Sequence, residues 1–156
     1  AKLNAYHVES GLYKALRERG WGQQEAVDAV HAAFVATSAR QRSLATLILR
    51  TDLGRRLFLR SLRPNWLWLT PPPASQWSVT ERSQTRVTIE ITCCYRLDAF
   101  RLLDTPEVAA AACSFEEYVF GGSPLLRVTY CTMAAGADRC RVCFERLNAR
   151  ENRSVL

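Results

Sequence analysis

The run Pro71-Pro72-Pro73 constrains this chain more than any other feature. Proline fixes φ and carries no backbone donor, so three in succession hold the chain extended, outside any helix or central strand. The stretch from Pro64 to Ser75 is therefore the expected seam between two parts of different periodicity.

Before the seam, apolar residues recur at helical spacing. Val8, Leu12, Ala15 and Leu16 precede Gly20, and Ala26, Val27, Val30, Ala33 and Phe34 repeat the pattern. Leu44, Leu47 and Ile48, then Leu57, Phe58 and Leu62, fall on a further stretch from Arg40 to Leu62, interrupted near Thr51-Asp52-Leu53-Gly54.

After the seam the period changes to two. Trp77, Val79 and Glu81 alternate with polar residues, and Val87, Ile89, Ile91 and Cys93 alternate with Thr88, Glu90, Thr92 and Cys94, which predicts two strands joined near Ser83-Gln84. A short helix follows from about Cys94 to Leu103. A second starts at Thr105-Pro106-Glu107, with Thr105 as the cap and Pro106 in the first helical position, and ends at Gly121-Gly122. Leu126, Val128 and Tyr130, then Ala135-Gly136-Ala137-Asp138, then Cys140, Val142 and Phe144 read as a β-hairpin, with a frayed tail from Asn148. The order predicts an α+β fold: N-terminal helices, then an antiparallel sheet of two β-hairpins with two intervening helices. One domain is expected over residues 1–156, with a helical part at 1–63 and a mixed part at 76–147.

A chain of 156 residues with 48% hydrophobic content can bury a core without disulfide staples. Its six cysteines are also clustered between Cys93 and Cys143, which suits free thiols with a local task. No apolar run reaches the roughly eighteen residues of a membrane span, and Ala1-Lys2-Leu3-Asn4 does not open a secretory signal, so a cytoplasmic location is expected. The net charge of +6 is almost wholly arginine, Lys2 and Lys14 being the only lysines. The arginines run from Arg17 to Arg153 without an RNA-binding signature or zinc-finger spacing, so no nucleic-acid partner is expected. Arg50, Arg55, Arg56, Arg60 and Arg63 beside Trp66-Leu67-Trp68 read as a solvated face in preference to a membrane-surface segment, so no membrane partner is expected either. The oligomeric state stays open, a homodimer included.

Three cysteines stand out. Cys94 lies where a strand gives way to a helix, so free amides and the helix dipole there favour thiolate, although cysteine also fills strand ends as a small apolar residue. Cys113 lies on the helix from Pro106 to Phe120 with Glu116 and Glu117 at three and four residues, a thiol beside carboxylates suited to acid–base chemistry or to simple packing. Strand alternation sends Cys140 inward with Val142 and Phe144 and turns Cys143 outward beside Arg141, which argues against a zinc or redox Cys-x-x-Cys. His7 and His31 read as structural.

The run Val87-Thr88-Ile89-Glu90-Ile91-Thr92-Cys93-Cys94, with Thr105-Pro106-Glu107-Val108, Cys113-Ser114-Phe115-Glu116-Glu117 and Thr132-Met133-Ala134-Ala135-Gly136-Ala137-Asp138-Arg139-Cys140, resembles the 2-amino-thiazoline-4-carboxylate hydrolase family. The resemblance spans about Arg86 to Phe144. It implies that Cys94, Cys113, Glu116, Gly136 and Cys140 occupy the family's marked positions. The hairpin is also similar, more weakly, to vinyl-reductase-type small-molecule-binding domains. Glu116 replaces an Asp of the family pattern, Arg141-Val142 replaces Asp-Phe, and Cys93 replaces a basic residue, which together suggest an altered substrate.

The resemblance implies a cysteine-dependent small-molecule enzyme, a hydrolase or a ring-opening or ring-forming catalyst in specialised biosynthesis. Its substrate would be a small heterocycle or carboxylate. Cys113 is expected to attack or to help a water attack, Glu116 to move protons, and Cys94 or Cys140 to complete the site. Arg86, Arg127 or Arg139 is expected to clamp a substrate carboxylate. No cofactor is called for and no metal assigned, although Cys94, Cys113, Cys140 and Glu116 would as a variant suit zinc. The alternative from another class is a non-catalytic binding module.

Overall fold

The computed structural model describes residues 3–69, 75–123 and 125–147. The triplet Pro71-Pro72-Pro73, the tail from Asn148, and the side chains of Arg63 and Trp66-Leu67-Trp68 lie outside what it describes. Helices α1 (Leu3–Glu18), α2 (Gln23–Leu49) and α3 (Asp52–Leu69) come first. Strands β1 (Gln76–Arg82) and β2 (Arg86–Cys93), helices α4 (Tyr95–Leu102), α5 (Val108–Cys113) and α6 (Phe115–Phe120), and strands β3 (Leu126–Cys131) and β4 (Cys140–Arg146) follow. The fold is α+β.

The four strands form one antiparallel sheet in the order β1-β2-β4-β3. Two hairpins are joined edge to edge through β2 and β4, with Ile89 opposite Val142 and Ile91 opposite Cys140. Alternation gives the sheet an apolar and a polar face. Val87, Ile89, Ile91, Leu126, Cys140, Val142 and Phe144 pack with Leu49, Leu59 and Leu62 from α2 and α3. Rings from α3, α6 and β4 lock that core: Phe58, Phe120 and Phe144 stand 4.9–5.9 Å apart in tilted and edge-on pairs. A second core joins α1, α2, α4 and α5 through Tyr13, Val30, Leu97, Phe100, Val108 and Ala112.

Four local expectations change. Helix α2 is unbroken from Gln23 to Leu49, and α3 runs on through Pro64 to Leu69, so the helical part extends into the expected seam. Thr105 does not cap a helix; it is fully buried and its hydroxyl bonds Ser10 of α1 at 2.7 Å. The helix expected from Pro106 to Phe120 is split at Ser114, whose hydroxyl donates to the Ala111 carbonyl at 2.7 Å while its amide also turns back to Ala111.

The fourth concerns apolar periodicity in the helical part. Val8, Leu12, Leu44, Leu47, Ile48 and Leu57 are exposed, and the buried positions of α2 are Ala26, Val30, Ser38 and Leu49. The buried stripe of α2 thus mixes small residues with Val30 and Leu49, while Leu44 and Leu47 face outward.

Candidate active site

β2 ends at Cys93, and Cys94 becomes the N-cap residue of α4 with extended backbone, φ −111° and ψ 101°. The first amides of α4 lack helical partners. The Tyr95 amide is taken by the Ser75 hydroxyl at 3.2 Å, and the Arg96 and Leu97 amides favour the anion of Cys94 without a regular capping bond to it. Cys94 packs against both core clusters, so it lies at the junction between them.

At that junction a cavity of about 170 Å³ opens, with Tyr6, Cys94, Arg96, Cys113, Glu116 and Cys140 among its lining. The inner face of the sheet supplies Ile91, Cys140 and Val142. Cys140 is held by the turn that precedes it: Thr132 accepts the Ala135 amide at 3.2 Å, and a 3-10 turn over Met133–Ala135 aims the Met133 amide at the Cys140 sulfur, 3.2 Å away. Gly136 closes this turn at φ 92°, a conformation that favours glycine.

The three thiols are not equivalent. Cys140 donates its S–H to Cys94, and this bond, with the Leu97 and Arg96 amides and the Arg96 charge, outweighs burial and lowers the Cys94 pKa to about 6. The same bond and burial push the Cys140 thiol far up. Burial pushes Cys113 up to about 11, against the pull of Arg96. Near neutral pH the arrangement is one thiolate, Cys94, beside two neutral thiols.

Arg96 crosses from the first turn of α4 to Glu116 of α6 at 3.6 Å and donates to the Ala112 carbonyl at 2.9 Å. It also bonds Tyr6 of α1. Both charged side chains are mostly covered, Arg96 keeping 26% and Glu116 13% of its exposure. A separation of 3.6 Å is a loose ion pair, so neither group is saturated by the other.

The structure thus brings Cys94, Cys113, Glu116 and Cys140 to one cavity and leaves Arg86, Arg127 and Arg139 outside its lining. Those three belong to the polar outer face of the sheet. Arg86 pairs with Glu81 at 3.1 Å and donates to the Cys143 sulfur at 3.2 Å; Arg127 meets Glu145 at 3.5 Å, and Arg139 meets Glu90 at 2.8 Å. Cys143 is on that outer face as expected but is buried, because Arg86 lies over it.

Arg96 and Tyr6 are among the lining residues that sequence reasoning missed. Long side chains in a helix lean toward its N-terminus, so an arginine two residues after a strand-end cysteine was the available signal for Arg96. Tyr6 carries no local signal. All six cysteines are free. Among the described residues no group of three or more His, Cys, Asp or Glu side chains is arranged to hold a metal ion. Among the same residues no helix is long and apolar enough to cross a membrane.

Comparison with known proteins adds no relative: no family model matches the chain, and no curated protein does.

Proposed function

We propose that the chain is a cysteine-dependent enzyme acting on a small carboxylate-bearing or heterocyclic substrate, with Cys94 as the nucleophile in place of Cys113. The observation that carries this reading is a cysteine at a helix start that shares a single cavity with a second thiol and an arginine–glutamate pair, surroundings that favour its anion. A packing cysteine has no need of those partners. The resemblance of the cysteine-bearing motifs to the thiazoline carboxylate hydrolases supports the substrate class.

In this reading the Arg96 guanidinium receives the substrate carboxylate, since it is the guanidinium among the lining residues. The Cys94 thiolate adds to the electrophilic carbon of a C=N group, forming a C–S bond while the π electrons go to nitrogen, which takes a proton from solvent or from the neutral Cys113. A nitrogen lone pair then expels the ring sulfur or an amine, which leaves with a proton, and the carbon is again a trigonal C=N, now bonded to Cys94. Glu116 accepts a proton from water as it attacks that carbon. Collapse breaks the C–S bond to Cys94 and returns it as thiolate while Glu116 gives its proton back, so the net change is addition of water with cleavage of the bond to the ring or amine leaving group.

The test is incubation with 2-amino-thiazoline-4-carboxylate and related cyclic amidine carboxylates, followed by mass spectrometry. Turnover by the unaltered protein, at least ~100-fold lower in Cys94→Ser and within about tenfold in Cys113→Ser, is expected, on the scale by which loss of a nucleophile outweighs loss of a supporting group. Equal turnover in Cys94→Ser removes the assignment. Binding of these compounds without chemical change favours a non-catalytic module.

A further inference from the structure

A second hollow, about 380 Å³, lies at the other end of β2 from Cys94. Strand β2 has eight residues, which at ~3.3 Å each puts the two sites roughly 25 Å apart. No small molecule spans both. The hollow is lined by Arg56 and Arg60 of α3, by Arg82, Ser83 and Gln84 at the β1–β2 turn, by Arg146 at the end of β4, and by Leu59.

Four guanidiniums from three elements therefore surround one concavity. Asp52 is the carboxylate that meets them, at 2.9 Å from Arg56 and 2.5 Å from Arg146, and it also serves Arg55. Arg60 and Arg82 have no hydrogen-bond or ion-pair partner among the described residues. Arg56 and Arg60 are four apart on one helix, a like-charge spacing that weakens the helix. Arg60 and Arg82 add no ion pair to the fold among the described residues.

Parts of the hollow are fixed in advance. Asp52 orients Arg56 and Arg146, and the Arg146 amide is tied to the Thr85 carbonyl at 2.7 Å. The turn is held by Ser83, whose hydroxyl accepts the Thr85 and Arg86 amides at 3.2 and 2.9 Å. Leu59 is buried beneath, anchoring α3 to the sheet. Arg60, Arg82 and Gln84 remain as uncommitted donors on the rim.

We infer that this arginine-lined hollow is a binding site for a soluble small molecule carrying a phosphoryl group and at least two negative charges. A carboxylate offers two oxygens in one plane and suits a single fork, whereas a terminal phosphoryl offers three and accepts forks from several sides. The arginines approach from a helix, a turn and a strand end, which matches the second geometry. They converge on a hollow and do not form an extended track, so a nucleic-acid backbone fits less well.

The test is calorimetric titration of the full chain with pyrophosphate at constant ionic strength, repeated with Arg60→Ala/Arg82→Ala. Saturable binding by the unaltered protein, weakened at least ~10-fold in the double variant and reduced by added salt, is expected. Both arginines are exposed, so circular dichroism should show an unchanged fold. Gln84→Glu, which puts a negative charge on the rim, should weaken binding in the same direction. Absence of saturable pyrophosphate binding, or equal affinity in all three proteins, overturns the inference. So does binding confined to anionic phosphatidylinositol-phosphate vesicles, or to a single-stranded RNA oligonucleotide, with pyrophosphate inert.

Discussion

Replacing Cys140 with alanine tests the thiolate directly, because it removes the S–H that supports Cys94 and leaves the α4 amides and Arg96 in place. A hydrogen bond to a charged group is worth roughly 1.5–3 kcal/mol, and 1.36 kcal/mol is one pKa unit, so the Cys94 midpoint should rise by about 1–2 units. From about 6 it should move to about 7–8. The assay is exchange with a small aromatic disulfide followed by absorbance across pH 4–10, in a background where Cys93 and the exposed Cys131 are serine.

A rate at one pH would mislead. A midpoint near 7.5 leaves roughly a tenth of Cys94 ionised at pH 6.5 in place of three-quarters, but a more basic thiolate is also a better nucleophile, by roughly fivefold for that shift. The two nearly cancel at pH 6.5. The full profile separates them: its midpoint moves up and its plateau rises several-fold. Cys140→Ser keeps an O–H donor and should hold the midpoint within about half a unit of the unaltered protein. An unmoved midpoint in Cys140→Ala, or equal shifts in both variants, would refute the account of the Cys94–Cys140 pair.

Cys113, pushed by burial to about 11, should stay unlabelled by iodoacetamide at pH 8 while Cys94 is fully labelled; peptide mass spectrometry showing equal labelling contradicts this. Because the Cys94 pKa of about 6 lies below the ordinary value of 9.0, its ionisation adds stability that is complete above pH 9 and lost as pH falls through 6. Calorimetry should accordingly find the Tm gap between the unaltered protein and Cys94→Ala widening from pH 6 to pH 9. Thr105→Val strands the buried Ser10 hydroxyl, and urea unfolding should register a loss of about 1–3 kcal/mol, partly recovered by adding Ser10→Ala. Gly136→Ala meets no steric obstacle, so its cost is the positive φ alone, about 1 kcal/mol; it should also raise the Cys94 midpoint by disturbing the Met133 amide that holds Cys140.

The limits of sequence reading here follow from the range of each interaction. Strand alternation acts over two residues, so it put Cys140 on the inner face and Cys143 on the outer before any tertiary contact was known. The strand-to-helix transition at Cys94 is equally local, as is the hairpin that carries Gly136. Helical spacing reaches farther and is overridden more easily. The exposure of Leu44, Leu47 and Leu57 shows packing overriding apolar periodicity, and Ser114, where the helix splits, also meets His31 of α2, whose ring nitrogen lies 3.1 Å from its hydroxyl. No window around residue 114 contains that histidine.

The same reasoning separates Cys113, the nucleophile the sequence suggests, from Cys94, the nucleophile we propose. A thiol's ionisation is set by every donor and charge around it, and for Cys94 these come from α4 and from β4, steadied by the turn before β4. For Cys113 the sequence offered a nearby carboxylate at helical spacing, which a nucleophile's base would occupy. Glu116 instead turns toward Arg96, and a buried thiol beside a carboxylate is disfavoured as an anion. In the proposed reaction Glu116 therefore serves Cys94 and not Cys113. A carboxylate and a thiolate lining one small hollow can act on the same carbon, one activating water and the other forming the bond. In that division of labour Cys113 supplies a neutral wall and a proton, and its burial is what keeps it from competing with Cys94.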